Sequence, residues 1–188
     1  MDADGGSPRR LTQDPGDEHN GNWSGDGRFV YFTSLRDGGP EVWRIPSRGG
    51  PPERLTHQGG WRPRESLDGK TLLFTPSLFD GPLLALPLAG GPVRRIVGCV
   101  GGFTTGPAGI YYLGCSSGPP RLGDASPGRP PGGTLFVLDP ASGRSRLLGS
   151  LEWARVWWGL TVSRDGKTIL ASREVDAGVD LMIIDNFR

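Results

Sequence analysis

The chain has 188 residues, with 21 basic and 20 acidic side chains and a formal net charge of +1. A balance that even provides no bulk field to attract nucleic acid or an anionic membrane. Glycine (32) and proline (18) exceed a quarter of the chain, and most of them stand between short apolar runs, where turns need them. No apolar run approaches the roughly 20 residues of a membrane-spanning helix. The opening MDADGGSPRR has no apolar stretch and is expected to carry no secretory signal.

In chain order, residues 1–12 end in RRLT and match PSRGGPPERLT at 46–56, so they read as a turn and a final strand. Residues 19–56 follow, with a first strand around Trp23, the turn and strand WSGDGRFVYFTS at 23–34, and the hairpin VWRIPSRGGPPERLT at 42–56. Residues 59–97 repeat this order: Trp61, then ESLDGKTLLFTP at 65–76, then LLALPLAGGPVRRIV at 83–97. Residues 98–149 give Phe103, PAGIYYLG at 107–114 and LFVLDPASGRSRLLG at 135–149, interrupted by a Gly- and Pro-rich stretch at 116–133. That stretch is polar, with nothing to bury, and reads as a flexible surface insertion. Residues 153–188 close with Trp157-Trp158, VSRDGKTILASR at 162–173 and LMIIDN.

The recurring element is Ser-x-Asp-Gly followed by a basic residue and an apolar strand. Asp26-Gly27 and Asp68-Gly69 lie 42 residues apart, Gly109 comes 40 after Gly69, and Asp165-Gly166 follows the insertion. Asp-Gly suits a tight turn, because Gly takes positive φ and Asp bonds the local backbone. The strands that follow are apolar on both parities (Phe29, Val30, Tyr31, Phe32), which predicts burial on both faces. Four antiparallel strands per unit of about 40 residues predict an all-β chain of β-propeller blades. The expectation is one domain over 1–188 with about sixteen short strands, almost no helix and about four blades. Second strands are expected near 28–34, 70–75, 109–114 and 167–173.

The RRLT and ERLT strands, the S-x-DG-[RK] turns and the ending VSRDGKTILASREVDAGVDLMIIDNFR resemble the WD-like β-propeller repeats of the TolB family. The proline usual after the turn serine is Gly25, Leu67 and Arg164 here, and the third Asp-Gly is lost. The resemblance implies the C-terminal propeller of a bacterial regulator, following a winged-helix or a serine/threonine kinase domain. Neither a winged helix nor kinase motifs occur in this chain. In such repeats a Met commonly ends the third strand, so Met1 reads as an internal residue of a longer parent. The expectation is therefore a piece of a six- or seven-bladed propeller. The alternative is a closed four-bladed ring, in which residues 9–12 would pair near 181–185.

Catalytic chemistry finds little footing. GCSSG around Ser116 fits G-x-S-x-G, but Pro119-Pro120 follows, and both histidines, His19 and His57, lie upstream, against the order such an elbow requires. No catalytic residue, cofactor or metal is expected. His19, near Asp17 and Glu18, reads as a surface hydrogen-bonding residue more than a metal ligand, and Asn22-Trp23-Ser24 is a sequon by pattern only. Asp26, Gly27, Asp68, Gly69, Asp165 and Gly166 are assigned to turns. The tryptophans read first as packing between blades. The alternative is an interaction surface, for which His19, Trp61, Arg62, Arg64 and Trp157 are the candidates, since Trp and Arg are enriched in hot spots.

The function expected is a non-catalytic binding or sensing module for a protein, peptide or small ligand in the channel, with no nucleic acid bound through this domain and no membrane segment in this chain. The alternative is the noncatalytic propeller of a hydrolase or peptidase. The compartment, cytoplasmic or periplasmic, stays open. Cys99 and Cys115 are centred on Pro107, in a turn, so they are expected to lie close together, with thiols favoured over a bond.

Overall fold

The computed structural model describes residues 7–115, 133–151, 159–175 and 178–185. Fourteen strands and no helix are found among these residues. They form three antiparallel sheets. The first contains β1 (Glu18–Trp23), β2 (Phe29–Ser34), β3 (Glu41–Pro46) and β4 (Glu53–Arg54), in that order. The second runs from β5 (Trp61–Glu65) through β6 (Thr71–Thr75), β7 (Gly81–Pro87), β8 (Arg94–Gly106), β9 (Gly109–Gly114) and β10 (Gly133–Leu138) to β11 (Ser145–Leu151). The third holds β12 (Leu160–Val162), β13 (Thr168–Val175) and β14 (Gly178–Asp185).

All four expected second strands are present as β2, β6, β9 and β13. The turns before β2, β6 and β13 share one chemistry. In each, the Asp carboxylate accepts from the Ser hydroxyl and from the amide two residues on, while the Ser oxygen accepts the amide that opens the strand. Around Asp26 these distances are 2.8, 3.0 and 2.9 Å. Around Asp68 they are 2.6, 3.1 and 3.0 Å, and around Asp165 again 2.6, 3.1 and 3.0 Å. Gly27, Gly69 and Gly166 take φ of 70, 69 and 71°, where a side chain would be strained.

Burial on both faces has a direct cause: each second strand serves two interfaces. Leu72 and Phe74 face Tyr31 and Val42 of the first repeat unit. Leu73, pointing the other way, joins Val100, Phe103, Ile110 and Tyr112. Tyr111 and Leu113 then join Leu160, Ile169 and Ala171 of the last unit. The core is thus a series of layers between successive units, the arrangement of a repeat array. Polar groups cross the first of these layers, where Glu65 accepts the Tyr31 hydroxyl at 2.7 Å and the Gly25 amide at 3.0 Å. Burial, then this bond to the Glu65 carboxylate, pushes the Tyr31 phenol up.

Two expected strands are missing. First, the fourth strand of the second unit and the first strand of the third are one continuous strand, β8. It pairs with β7 through Arg94–Val97 and with β9 from Val100 onward. The two units therefore share a seven-stranded sheet, where separate sheets over 59–97 and 98–149 were expected. Glycines at 98, 101 and 102 let the backbone turn there without breaking the ladder. Secondly, residues 9–12 form no strand, and among the described residues the third sheet ends β12-β13-β14 without a fourth member. The Arg9 guanidinium donates to the Arg48 and Ser47 carbonyls at 3.0 and 2.6 Å, which holds this segment on the first unit's hairpin. The pairing with 181–185 that the closed-ring alternative required is not formed.

Cys99 and Cys115 form a disulfide with Cα atoms 5.6 Å apart, so the expectation of unbonded thiols is also corrected. The register explains it. Gly106 pairs with Gly109 and Gly102 with Leu113, but beyond a shift at Gly101 the pair is Val100 with Gly114. The extra residue slides Cys99 opposite Cys115, as a β-bulge does. The insertion lies outside the described residues except Gly133, which opens β10.

Candidate functional site

The first strand of each repeat unit lies on the inside. β1 packs on β5, β5 on the second half of β8, and that half on β12. These strands converge on a pocket of about 270 Å³ lined by residues from all of them, including His19, Trp61, Arg62, Arg64, Phe103 and Leu160. Four of the five proposed surface residues are therefore neighbours. The fifth, Trp157, lies outside the described residues.

Bulges aim these side chains. The ladder shifts between His19 and Asn22 in β1 and again between Trp61 and Arg64 in β5. At the shifts, Asn20 and Arg62 both take φ of 55°, a left-handed conformation that costs a non-glycine residue roughly 1–3 kcal/mol and tends to occur at functional sites. Asn20 and Arg62 stand 42 residues apart, so the same distortion recurs at one phase of the repeat.

The repeat spacing also governs who touches whom. The His19 and Trp61 rings are 5.6 Å apart and tilted by 39°. Asn22 donates to the Asn20 and Pro63 carbonyls, both at 3.0 Å, and its side-chain oxygen accepts from Arg64 at 3.3 Å. Arg62 donates to the Gly101 carbonyl at 2.9 Å. Burial lowers the pKa of both Arg62 and Arg64, and the charge of Asp80 opposes that shift at Arg62. Both guanidiniums stay protonated at neutral pH.

The pocket lining includes no carboxylate, hydroxyl or thiol. Among the described residues no three His, Cys, Asp or Glu side chains cluster as a metal site would require. Trp23, expected to pack between units, is 65% exposed. The six turn residues sit where the sequence placed them, away from this pocket. Asn20 and Asn22 were missed as site residues. Superposing HNGNWS at 19–24 on WRPRES at 61–66 puts Asn20 over Arg62 and Asn22 over Arg64, and that alignment was the available signal. A larger groove of about 960 Å³ lies at the turn end between the second and third units, lined by Leu67, Ile96, Ile110 and Leu138 among others.

No family model matches the chain. An uncharacterized protein of Agrobacterium fabrum is 33% identical over 113 residues, covering 54% of this chain and 39% of that protein. Tricorn protease homolog 1 of Streptomyces coelicolor is 39% identical over 112 residues, 55% of this chain and 10% of its own length. The Tol-Pal system protein TolB of Bordetella pertussis is 46% identical over 51 residues, 27% of this chain and 12% of TolB. The matched region thus spans well under half the length of each of these curated relatives. Among solved structures, TolB from Acinetobacter baumannii superposes with a TM-score of 0.64 at 18% identity, over 89% of this chain and 40% of that one. A puromycin hydrolase gives 0.61 at 18%, over 94% and 28%. With its antiparallel sheets, inner first strands and cores between units, the chain has the TolB-like β-propeller fold.

Proposed function

We propose that this chain is a non-catalytic binding module that takes its ligand in the axial pocket, as part of a larger regulatory or scaffolding protein. On this reading the seven-stranded sheet counts as two blades sharing β8, so the chain contributes four blades. The observation that carries it is the convergence of inner strands from every repeat unit on one pocket. That pocket has two guanidiniums and aromatic walls, and its one acid–base group, His19, has no hydroxyl, thiol or carboxylate beside it in the lining to form a catalytic pair. The disulfide fits an oxidising compartment.

A pool of short N-acetylated peptides, incubated with the chain and followed by mass spectrometry, tests the proposal. Some peptides should be retained and returned intact, and Trp61→Ala should weaken their retention at least tenfold, as loss of an aromatic anchor does. Cleaved products, or equal retention by the variant, would overturn it.

The likeness to tricorn protease homolog 1 favours a second reading, in which the same pocket belongs to the noncatalytic propeller of a peptidase. A hydrolase domain encoded in frame beside this region would select it.

A further inference from the structure

Arg64 differs from the other half-buried arginines in its company. Arg36 pairs with Glu18 at 2.5 Å, and Arg54 with Glu41 at 2.8 Å and Asp37 at 2.9 Å. Arg44 pairs with Glu53 at 2.7 Å, and Arg62 lies in the field of Asp80. Among the described residues Arg64 has no carboxylate partner. Among the same residues its side chain makes one long hydrogen bond, to Asn22 at 3.3 Å. A charge withdrawn from water without a counter-charge is costly, and the pocket lining supplies no acid.

The missing partner can be specified by its chemistry. A guanidinium presents a planar fork that matches a carboxylate with two parallel hydrogen bonds. With Arg62 in the field of Asp80, the charge left to balance in this pocket is that of Arg64, and one negative charge suits a carboxylate better than a phosphate dianion. The neighbouring Arg62 already donates to the Gly101 carbonyl. The volume of about 270 Å³ falls just below the roughly 300–1,000 Å³ of ordinary ligand pockets, a size that suits a chain end. Trp61 and Phe103 offer apolar walls beside the charge.

We infer that the axial pocket binds the terminal carboxylate of a peptide, with Arg64 as its forked anchor and Trp61 against the last side chain. This rests on the reading of the pocket as the binding site.

The test is NMR on the full chain, following arginine Nε–H, tryptophan Nε1–H and backbone amides during titration with N-acetyl-Gly-Gly-Phe. The free acid should shift the Arg64 and Trp61 signals saturably, and the C-terminal amide should bind at least tenfold more weakly. Arg64→Gln should weaken the acid at least tenfold and leave the amide unchanged, with Arg64→Lys in between. Amide dispersion reports whether each variant folds, and if neither does, the acid–amide comparison on the native chain decides. Equal binding of acid and amide, no effect of Arg64→Gln, or competition by inorganic phosphate as strong as by the acid would overturn the carboxylate preference. Trp61 shifts persisting in those cases would leave the axial site standing. Absence of any shift, or shifts confined to the groove at Leu67 and Ile96, would overturn both.

Discussion

At the scale of single residues, the three Ser-x-Asp-Gly turns show how little sequence is needed to fix a local geometry. The Arg28 amide, then the Ser24 hydroxyl, hold the Asp26 carboxyl down to about 2. At Asp68 and Asp165 the Ser hydroxyl leads and the following amide adds to it, in the same direction. A carboxylate whose pKa is depressed on folding contributes stability that is present above its unfolded value, near 3.9. That contribution is lost as pH falls through the folded value. The Asp26 turn should therefore hold at pH 5 and loosen between about pH 4 and 2. Amide hydrogen exchange at Arg28 should rise over that range, and that at Lys70 and Lys167 should rise as pH falls below the ordinary carboxylate value, after correction for intrinsic rates. Protection unchanged down to pH 2 would show that the carboxylates do not hold the turns. Because all partners lie within five residues of one another, this part of the structure was fully legible in the sequence.

At the scale of elements, the second strands are the structural hinge between neighbours. Leu72 and Leu73 are adjacent, yet both are essentially inaccessible, at 0% and 1% exposure, because they face different cores. Leu72→Ala and Leu73→Ala should each cost about 2–5 kcal/mol in urea unfolding, as buried leucines do. In a sheet with one wet face, one of the two would be nearly silent. The disulfide closes a sequence separation of 16 residues, and removing such a crosslink typically costs about 3 kcal/mol. Replacing both cysteines with serine should lower stability by that order, and adding a reductant to the native chain should reproduce the loss. An unchanged urea midpoint in both would rule out a stabilising bond. Element-level surprises came where pairing depends on distant chain. Residues 9–12 look like the ERLT strand, but a strand needs a partner, and Arg9 is held by the first hairpin instead. The glycines near 98–102 read as a junction between blades, although the ladder runs through them as β8.

At the scale of the whole molecule, a period of about 40 residues turns positions distant in sequence into neighbours. His19 reaches Trp61, Asn22 reaches Arg64, and Arg62 reaches Gly101. The sequence could flag His19, Trp61, Arg62 and Arg64 one by one as tryptophan- and arginine-rich surface. Their convergence depends on the bulges of β1 and β5 and on inner-strand packing, which no local pattern encodes. Asn22 was visible only as part of a sequon, and its role emerges from the contact with the next unit. On the function proposed above, strands from successive units build one ligand site at the axis. The most direct measurement is paramagnetic relaxation enhancement from a nitroxide attached to the N-terminus of Gly-Gly-Phe. The Trp61 indole N–H and the Gly102 and Leu160 amides belong to three different repeat units, and they should broaden together and most strongly. Broadening of signals from one unit alone, or strongest at Leu67, Ile96 and Leu138 in the larger groove, would contradict the account.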